Sequence, residues 1–453
     1  MRTIILAVSL LAAGGSAAAQ ELSTKLDSAM RVAERGGFSG VVRVEKDGRL
    51  LLEKGYGLAN RRAKIPFTAQ TVVQIGSNTK DFTAVAILQL QAAGKLSMSD
   101  SIGKYFVSVP ADKRGITIRQ LMNHRAGFPL GIGGDFAPFN RAFLVDSAMH
   151  TVLLFPPGSR ESYSNTGFSL LAAIIEQVTG KSYDIHIRDA ILAPLGLRRT
   201  GFLLPGFKPN ELAHGYLPKG TDNGTMLAKA HAADGPYWNL RGNGGMLSTS
   251  GDMHVFYKAL FESETLLTRA ARGDRFPPDE PVGLAGSDLV EFFLYDRFPG
   301  MRSEIIIAST NAAMKAPVIR RELGKVLGLP NPDDGPENVA ERPGGKPAPA
   351  AMAGVLTALI KAINSGDAAV LRRFITDNFV SETGAPSVDE RVQRIGRMHE
   401  NLGDITIEKI QTFDQGPAEM TLKSSVQGAA MLKVTMTSSE PYRIQGMQII
   451  IGG

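Results

Sequence analysis

Apolar positions along this chain switch between two periods, and each switch marks an element. Val41-Val42-Arg43-Val44 and Arg49-Leu50-Leu51-Leu52 flank Asp47-Gly48. That dipeptide tolerates the positive φ of a two-residue turn, so the pattern predicts a β-hairpin. From Ser77 onward the period lengthens: Phe82, Val85, Ala86 and Leu90 recur at helical spacing, and Gly94 is placed to end the helix. A second helical stripe, Leu170, Leu171, Ile174 and Ile175, follows the turn sequence Phe155-Pro156-Pro157-Gly158. Residues 291–295 and 303–309 flank Pro299-Gly300 as another apolar hairpin. Hairpins at both ends with helices between them predict an antiparallel sheet closed by the two ends of the segment, with a helical insertion.

Near residue 330 the periodicity fails. Residues 330–349 are crowded with Pro, Gly, Asp, Glu and Ala and read as a linker. Beyond it, 355–363 and 368–379 read as amphipathic helices separated by Ser365-Gly366-Asp367, a stop and an N-cap. Alternation at Ile405, Ile407 and Ile410, then over 431–436 and 444–451, predicts strands. The expected fold class is α+β, with a large domain over 20–329 and a small α+β domain over 350–453.

The first residues and the composition narrow the function. Arg2, an apolar run over 4–13 and small residues up to Ala17-Ala18-Ala19 form a secretory signal peptide over 1–19, expected to be cut after Ala19. The chain is therefore expected to be periplasmic or secreted. The apolar run is shorter than the roughly 20 residues of a bilayer-spanning helix, so no stable membrane insertion is expected once the signal is removed. There is no cysteine, which excludes disulfides, a lipidated cysteine and thiolate chemistry. The formal charge of +6 comes without basic runs interleaved with aromatics, so nucleic acid is not an expected partner. The seven histidines show no paired ligand spacing, and neither a metal nor another cofactor is expected.

Ser77-Asn78-Thr79-Lys80 opens the first predicted helix. A serine hydroxyl is a poor nucleophile until a base takes its proton, and a lysine three residues on shares its helical face. Lysine serves as that base if burial and neighbouring positive charge make it neutral. Taken alone, the tetrad reads more simply as an N-cap serine with a solvated lysine. Tyr163-Ser164-Asn165 stands at the loop-to-helix junction before the second stripe. A phenol near ammonium groups can be driven toward phenolate and then shuttle protons, and the Asn165 carboxamide can orient Lys80 or a substrate. Taken alone, Tyr163 reads as a core aromatic. Arg241-Gly242-Asn243-Gly244-Gly245 reads as a tight turn.

Four segments change the weighing. They are the run from Gln74 through Ser77-Asn78-Thr79-Lys80 to Ala84, then Gly94-Lys95-Leu96-Ser97, Leu121-Met122-Asn123-His124-Arg125-Ala126-Gly127-Phe128, and Tyr163-Ser164-Asn165. Together and in this order they resemble the serine β-lactamase family, in its class C-like esterase and D-peptidase branch, over residues 21–328. The resemblance implies a β-lactamase/transpeptidase-like fold with Ser77 as acylated nucleophile and Lys80 and Tyr163 as the proton-transfer pair. It also implies Asn165 as a polar site residue, with Gly286 and Ser287 on the facing strand and the Ser77 and Ser287 amides as oxyanion donors. His124 falls in a motif to which the resemblance gives a structural role.

At Leu284-Ala285-Gly286 the chain departs from the pattern, because a basic residue is expected where Leu284 stands. The preceding stretch, 266–282, is also shortened. The small domain resembles NTF2-like, cone-shaped α+β domains in its helix pair, Asn364-Ser365-Gly366-Asp367 and trailing strands.

The expected function is an exported serine hydrolase that acts through an acyl-serine on a small ester, a D-amino-acid amide or peptide, or a lactam. The alternative, motivated by Leu284, is a catalytically weak relative that binds cell-envelope peptides. In either case the partner is a small molecule or short peptide; the sequence names neither the natural substrate nor the oligomeric state.

Overall fold

A computed structural model describes residues 2–203, 205–217, 220–287, 290–310, 316–330, 346–380, 387–412, 418–425, 428–437 and 439–451. The chain divides into two compact units, Met1–Leu327 and Gly328–Gly453. Most of the stretch read as a linker lies outside the described residues.

In the first unit a long helix α1 (Arg2–Arg35) precedes strands β1 (Gly40–Lys46) and β2 (Arg49–Tyr56). Asp47 and Gly48 join the strands at φ 52° and 72°, the mirror-image turn that matches the twist of paired strands. The helices that follow include α2 (Thr79–Ala92), α3 (Asn165–Thr179) and α4 (Ser250–Glu262). The chain then returns to the sheet through β3 (Val282–Ser287), β4 (Phe292–Phe298) and β5 (Ser303–Ser309), and ends in α5 (Ala316–Leu327). The strand order is β2-β1-β5-β4-β3, antiparallel throughout, so the first and last strands pair in the middle. Both ends of the segment close the sheet, and the helices between them are the insertion.

α1 and α5 pack together, α1 also against β2 and α5 against β5, while α4 packs against β1 and β5. The signal read over 1–19 is continuous with the rest of α1; the side chains of residues 1–16 lie outside the described set. Among the described residues no helix is long and apolar enough to cross a membrane. α2 is buried on nearly every side, as expected of a helix with so little polar surface, and Gly94 ends it at φ 68°. Its Phe82 stacks on Phe256 of α4 at 3.9 Å between ring centroids.

The second unit holds α6 (Ala350–Asn364), α7 (Ala368–Asn378) and α8 (Val388–Leu402), then an antiparallel meander β6 (Ile405–Thr412), β7 (Ala418–Ser424), β8 (Gly428–Met436) and β9 (Ile444–Ile451). Asp367 caps α7 by accepting from the amides of Ala369 and Val370. Two elements go beyond the periodicity reading. α8 is mostly polar, and its sign is the Ser387/Glu390 capping box rather than a broad apolar stripe. β7 alternates weakly because Ala418, Glu419 and Met420 are all buried.

Candidate active site

Ser77 lies in the single 3-10 turn Gly76–Asn78 that leads into α2. Gly76 makes the bend at φ 51°, and a Cβ there would sit 2.7 Å from the main-chain nitrogen of Ser287. A Cβ on Gly286 would overlap the Ile75 carbonyl and crowd the Ser77 nitrogen and Asn78 Oδ1. Two glycines therefore let the end of β3 meet the start of α2 backbone to backbone. The main chains of Ser77 and Ser287 are neighbours as a result.

One helical turn on, Lys80 is 3% exposed. Its Nζ lies 3.1 Å from Ser77 Oγ and donates to the Asn243 carbonyl at 2.6 Å. The rings of Tyr163 and Phe168 approach the same nitrogen, at 4.8 and 5.7 Å to their centroids. These hydrogen bonds go to a hydroxyl and a carbonyl rather than a carboxylate. Burial accordingly pulls the ammonium down to about 7; Asp81 and Asp135 oppose the shift and Arg275 reinforces it.

Tyr163 Oη donates to Ser77 Oγ at 2.6 Å. Burial pushes this phenol up to about 12, so near neutral pH it is a protonated donor. That corrects the expectation of a phenol driven toward phenolate: desolvation by burial, reinforced by Asp81, outweighs the hydrogen bond to Ser77 and the Arg275 charge that favour the anion. Once Lys80 has lost its proton, and with the tyrosine proton directed at Ser77 Oγ, the serine's own hydrogen is left to aim at the Lys80 amine.

His124 supports this arrangement from behind. Its ring lies 4.5 Å from that of Tyr163, its Nδ1 accepts from the Ser164 amide at 3.1 Å, and its carbonyl accepts from the Ser162 amide at 2.9 Å. Burial lowers the imidazole to about 3, which keeps it neutral and able to accept. Ser164 then caps α3, accepting from the Gly167 amide and donating to the Pro129 carbonyl. Asn165 opens the helix; its amide donates to the Leu130 carbonyl at 2.7 Å, while its buried Oδ1 has no partner among the described residues.

Of the residues singled out in sequence, Ser77, Lys80 and Tyr163 share hydrogen bonds, and Gly286 and Ser287 border the Ser77 main chain. Asn165 stands two residues past Tyr163 without a hydrogen bond to that group among the described residues. Leu284 is half-buried against the core and pairs with Tyr295 across the ladder, so this position brings no charge to the site.

Asn243 is the residue that motif reading passed over. Its carbonyl holds Lys80, and its Nδ2 donates to Ser169 Oγ and the Asn239 carbonyl at 2.8 and 2.7 Å. A main-chain acceptor leaves no residue-type signature. The nearest sign was the glycine run itself: Gly242, at φ 80°, leaves no room for a Cβ against Ala172 and the Phe168 carbonyl.

The family profile described as Beta-lactamase matches residues 24–287, a span that contains every one of these groups. The chain belongs to the beta-lactamase family. Penicillin-binding protein 4* of Bacillus subtilis (strain 168) is 28% identical to it over 274 residues, 57% of this chain and 59% of that protein. A putative D-alanyl-D-alanine carboxypeptidase of Escherichia coli (strain K12) is 29% identical over 265 residues, 51% of this chain and 60% of that protein. The chain thus spans about two fifths to three fifths of the length of the curated relatives it matches. Among solved structures, the octameric penicillin-binding protein homologue from Pyrococcus abyssi shares the fold at a TM-score of 0.59 and 21% identity, covering 94% of this chain and 98% of that one. This beta-lactamase family member therefore has a β-lactamase/transpeptidase-like fold, with a separate sheet-rich C-terminal region.

Proposed function

We propose that the protein is an exported serine hydrolase that forms an acyl-Ser77 intermediate with a small ester, a D-amino-acid amide or short peptide, or a lactam, and releases it to water. One observation carries this reading: Ser77 Oγ lies between a buried lysine nitrogen at 3.1 Å and a tyrosine hydroxyl at 2.6 Å. Lys80, as a neutral amine, takes the serine proton while Oγ attacks the carbonyl carbon. The amides of Ser77 and Ser287 face the developing oxyanion. Tyr163 gives its proton to the departing alkoxide or amine and recovers one from Lys80, which returns the amine to its starting state. Water then attacks the ester, with the same two groups moving the proton in reverse.

Asn165, whose Oδ1 has no partner among the described residues, is the polar contact for substrate. The secretory signal over 1–19 supports a periplasmic or secreted location. The helices and four-stranded meander of the second unit support an NTF2-like assignment for the C-terminal region.

Covalent labelling tests the reading. A fluorophosphonate added to the purified protein, read by intact mass, should add one label per chain, and Ser77→Ala should add none. Equal labelling of that variant would remove Ser77 from its role. An unlabelled parent would favour the catalytically weak, peptide-binding alternative that Leu284 motivates.

A further inference from the structure

Asp81 places a carboxyl group directly beside the proposed base. It follows Lys80 on α2, is 3% exposed, and is buried in the same interior. Its Oδ2 accepts from Tyr257 Oη of α4 at 2.9 Å, and that hydroxyl accepts from Asn78 Nδ2 at 2.7 Å. Asn78 is the residue after the nucleophile, so the chain of contacts runs from Asp81 back to the helix start. At its other end stands Arg275, in the turn Gly273–Arg275, with Nη2 3.6 Å from Asp81 Oδ1. The short helix just before that turn, Arg269–Arg272, packs against α2.

A carboxylate buried this deeply needs a counter-charge. Lys80 could supply it only by staying an ammonium, and an ammonium cannot take the serine proton. β3 carries Leu284, packed against the core, and supplies no cation. Arg275 fills that need from the segment just upstream. The charged and titratable groups acting on Lys80 are Asp81 on its own helix, Asp135 on the loop between the helices Ile118–Met122 and Arg141–His150, and Arg275. Tyr163 and His124 face it as neutral groups.

We propose that Arg275 is a positioning residue for the Ser77–Lys80 pair: it balances the buried Asp81 carboxylate, so that Lys80 remains a free amine, and through Tyr257 and Asn78 it steadies the start of α2. The proposal rests on the hydrolase reading above, and it adds that the cation serving this site comes from the turn ahead of β3. The electrostatic directions agree with the geometry. Asp81 raises Lys80 and Arg275 lowers it, while Arg275 also opposes the upward push of burial on Asp81.

The test is the pH profile of Ser77 acylation by a p-nitrophenyl ester, measured before steady state on the full chain. Arg275→Met leaves Asp81 uncompensated and should move the acid limb to higher pH by roughly one unit, a loss of rate of about fivefold at pH 7 that approaches about tenfold at lower pH. Arg275→Lys should restore the limb. Asp81→Asn, which keeps an acceptor for Tyr257, should move it the opposite way, because the Arg275 charge then acts on Lys80 alone. A uniform loss of rate in Arg275→Met with an unmoved limb would make Arg275 merely structural and overturn the proposal. If that variant fails to fold, Asp81→Asn decides: an unmoved limb, or one shifted to higher pH, overturns it. Failure of the underlying reading looks different, as a parent protein whose reaction with the ester does not depend on Ser77.

Discussion

At the residue scale the site is governed by where protons rest. Lys80 is lowered to about 7 by burial, so it is an ammonium below that pH and an amine above it. Acylation should therefore rise through neutral pH and be lost as pH falls through about 7. Tyr163, raised to about 12, should leave the alkaline side flat to well above neutrality. Single-turnover rates across that range check both limbs; a rate that falls between about pH 8 and 10 would contradict the protonated-phenol assignment. Tyr163→Phe should cost about 10²-fold in acylation by an amide and less with a p-nitrophenyl ester, whose leaving group needs little protonation. Equal losses with both substrates would point to a packing role for the ring. Ser77, Lys80 and Tyr163 were legible because their identities and local spacing hold the information. The Asn243 carbonyl and Arg275 were not: one acts through the main chain, and the other meets α2 from nearly two hundred positions downstream, which no local pattern records.

Elements carry the next set of constraints. α1 is held to β2 through Asp27, which accepts from Lys54 Nζ at 2.8 Å, Tyr56 Oη at 2.8 Å and Arg31 Nε at 2.9 Å. These partners, Lys54 first, lower its carboxyl to about 2. A carboxylate lowered on folding contributes stability above its unfolded value, near 4, and loses it as pH falls toward about 2. Asp27→Asn should thus reduce stability by roughly 1 kcal/mol at neutral pH and by little near pH 2, measured by urea unfolding at both. Equal losses at the two pH values would mean that shape rather than charge holds the helix. At the opposite edge of the sheet, Gly286→Ala should wedge a methyl group between β3 and the start of α2. Overpacking of this kind costs about 1–3 kcal/mol, and it should also lower acylation sharply, because the Ser77 and Ser287 main chains are pushed apart. Unchanged kinetics in a folded Gly286→Ala protein would show that this close approach is not needed. Both hairpins were legible from alternation and turn residues. α8 and β7 were not, because tertiary contacts rather than a clean apolar period decide them.

For the whole molecule, substrate choice follows from the charge that β3 lacks. Lactam antibiotics carry a carboxylate, and Leu284 has nothing to pair with it. Short p-nitrophenyl esters should be hydrolysed measurably, and a chromogenic cephalosporin only very slowly, on one preparation with Ser77→Ala as blank. Efficient cephalosporin turnover would require another cation at the carboxylate position. Each unit has its own hydrophobic cluster, so a chain ended at Asp333 should keep a cooperative unfolding transition, followed by circular dichroism. Loss of cooperativity would make the second unit part of the first unit's fold. The Pro- and Gly-rich stretch that interrupts both apolar periods begins close to the boundary between the two compact units.

The pairing of β1 with β5 has a temporal consequence. Gly40 meets Ser309 across the ladder, roughly 270 residues away along the chain, and such pairings close late because the intervening loop must first be brought round. During synthesis the opening hairpin emerges early and waits with one edge unpaired. Until the last hairpin arrives, β3 has no ladder to join and the start of α2 lacks its facing wall. A partly made chain therefore holds Ser77 and Lys80 in sequence before β3 faces them, so the proposed reactivity should appear only with the final strands, as an event in the chain's history rather than a property of its motif.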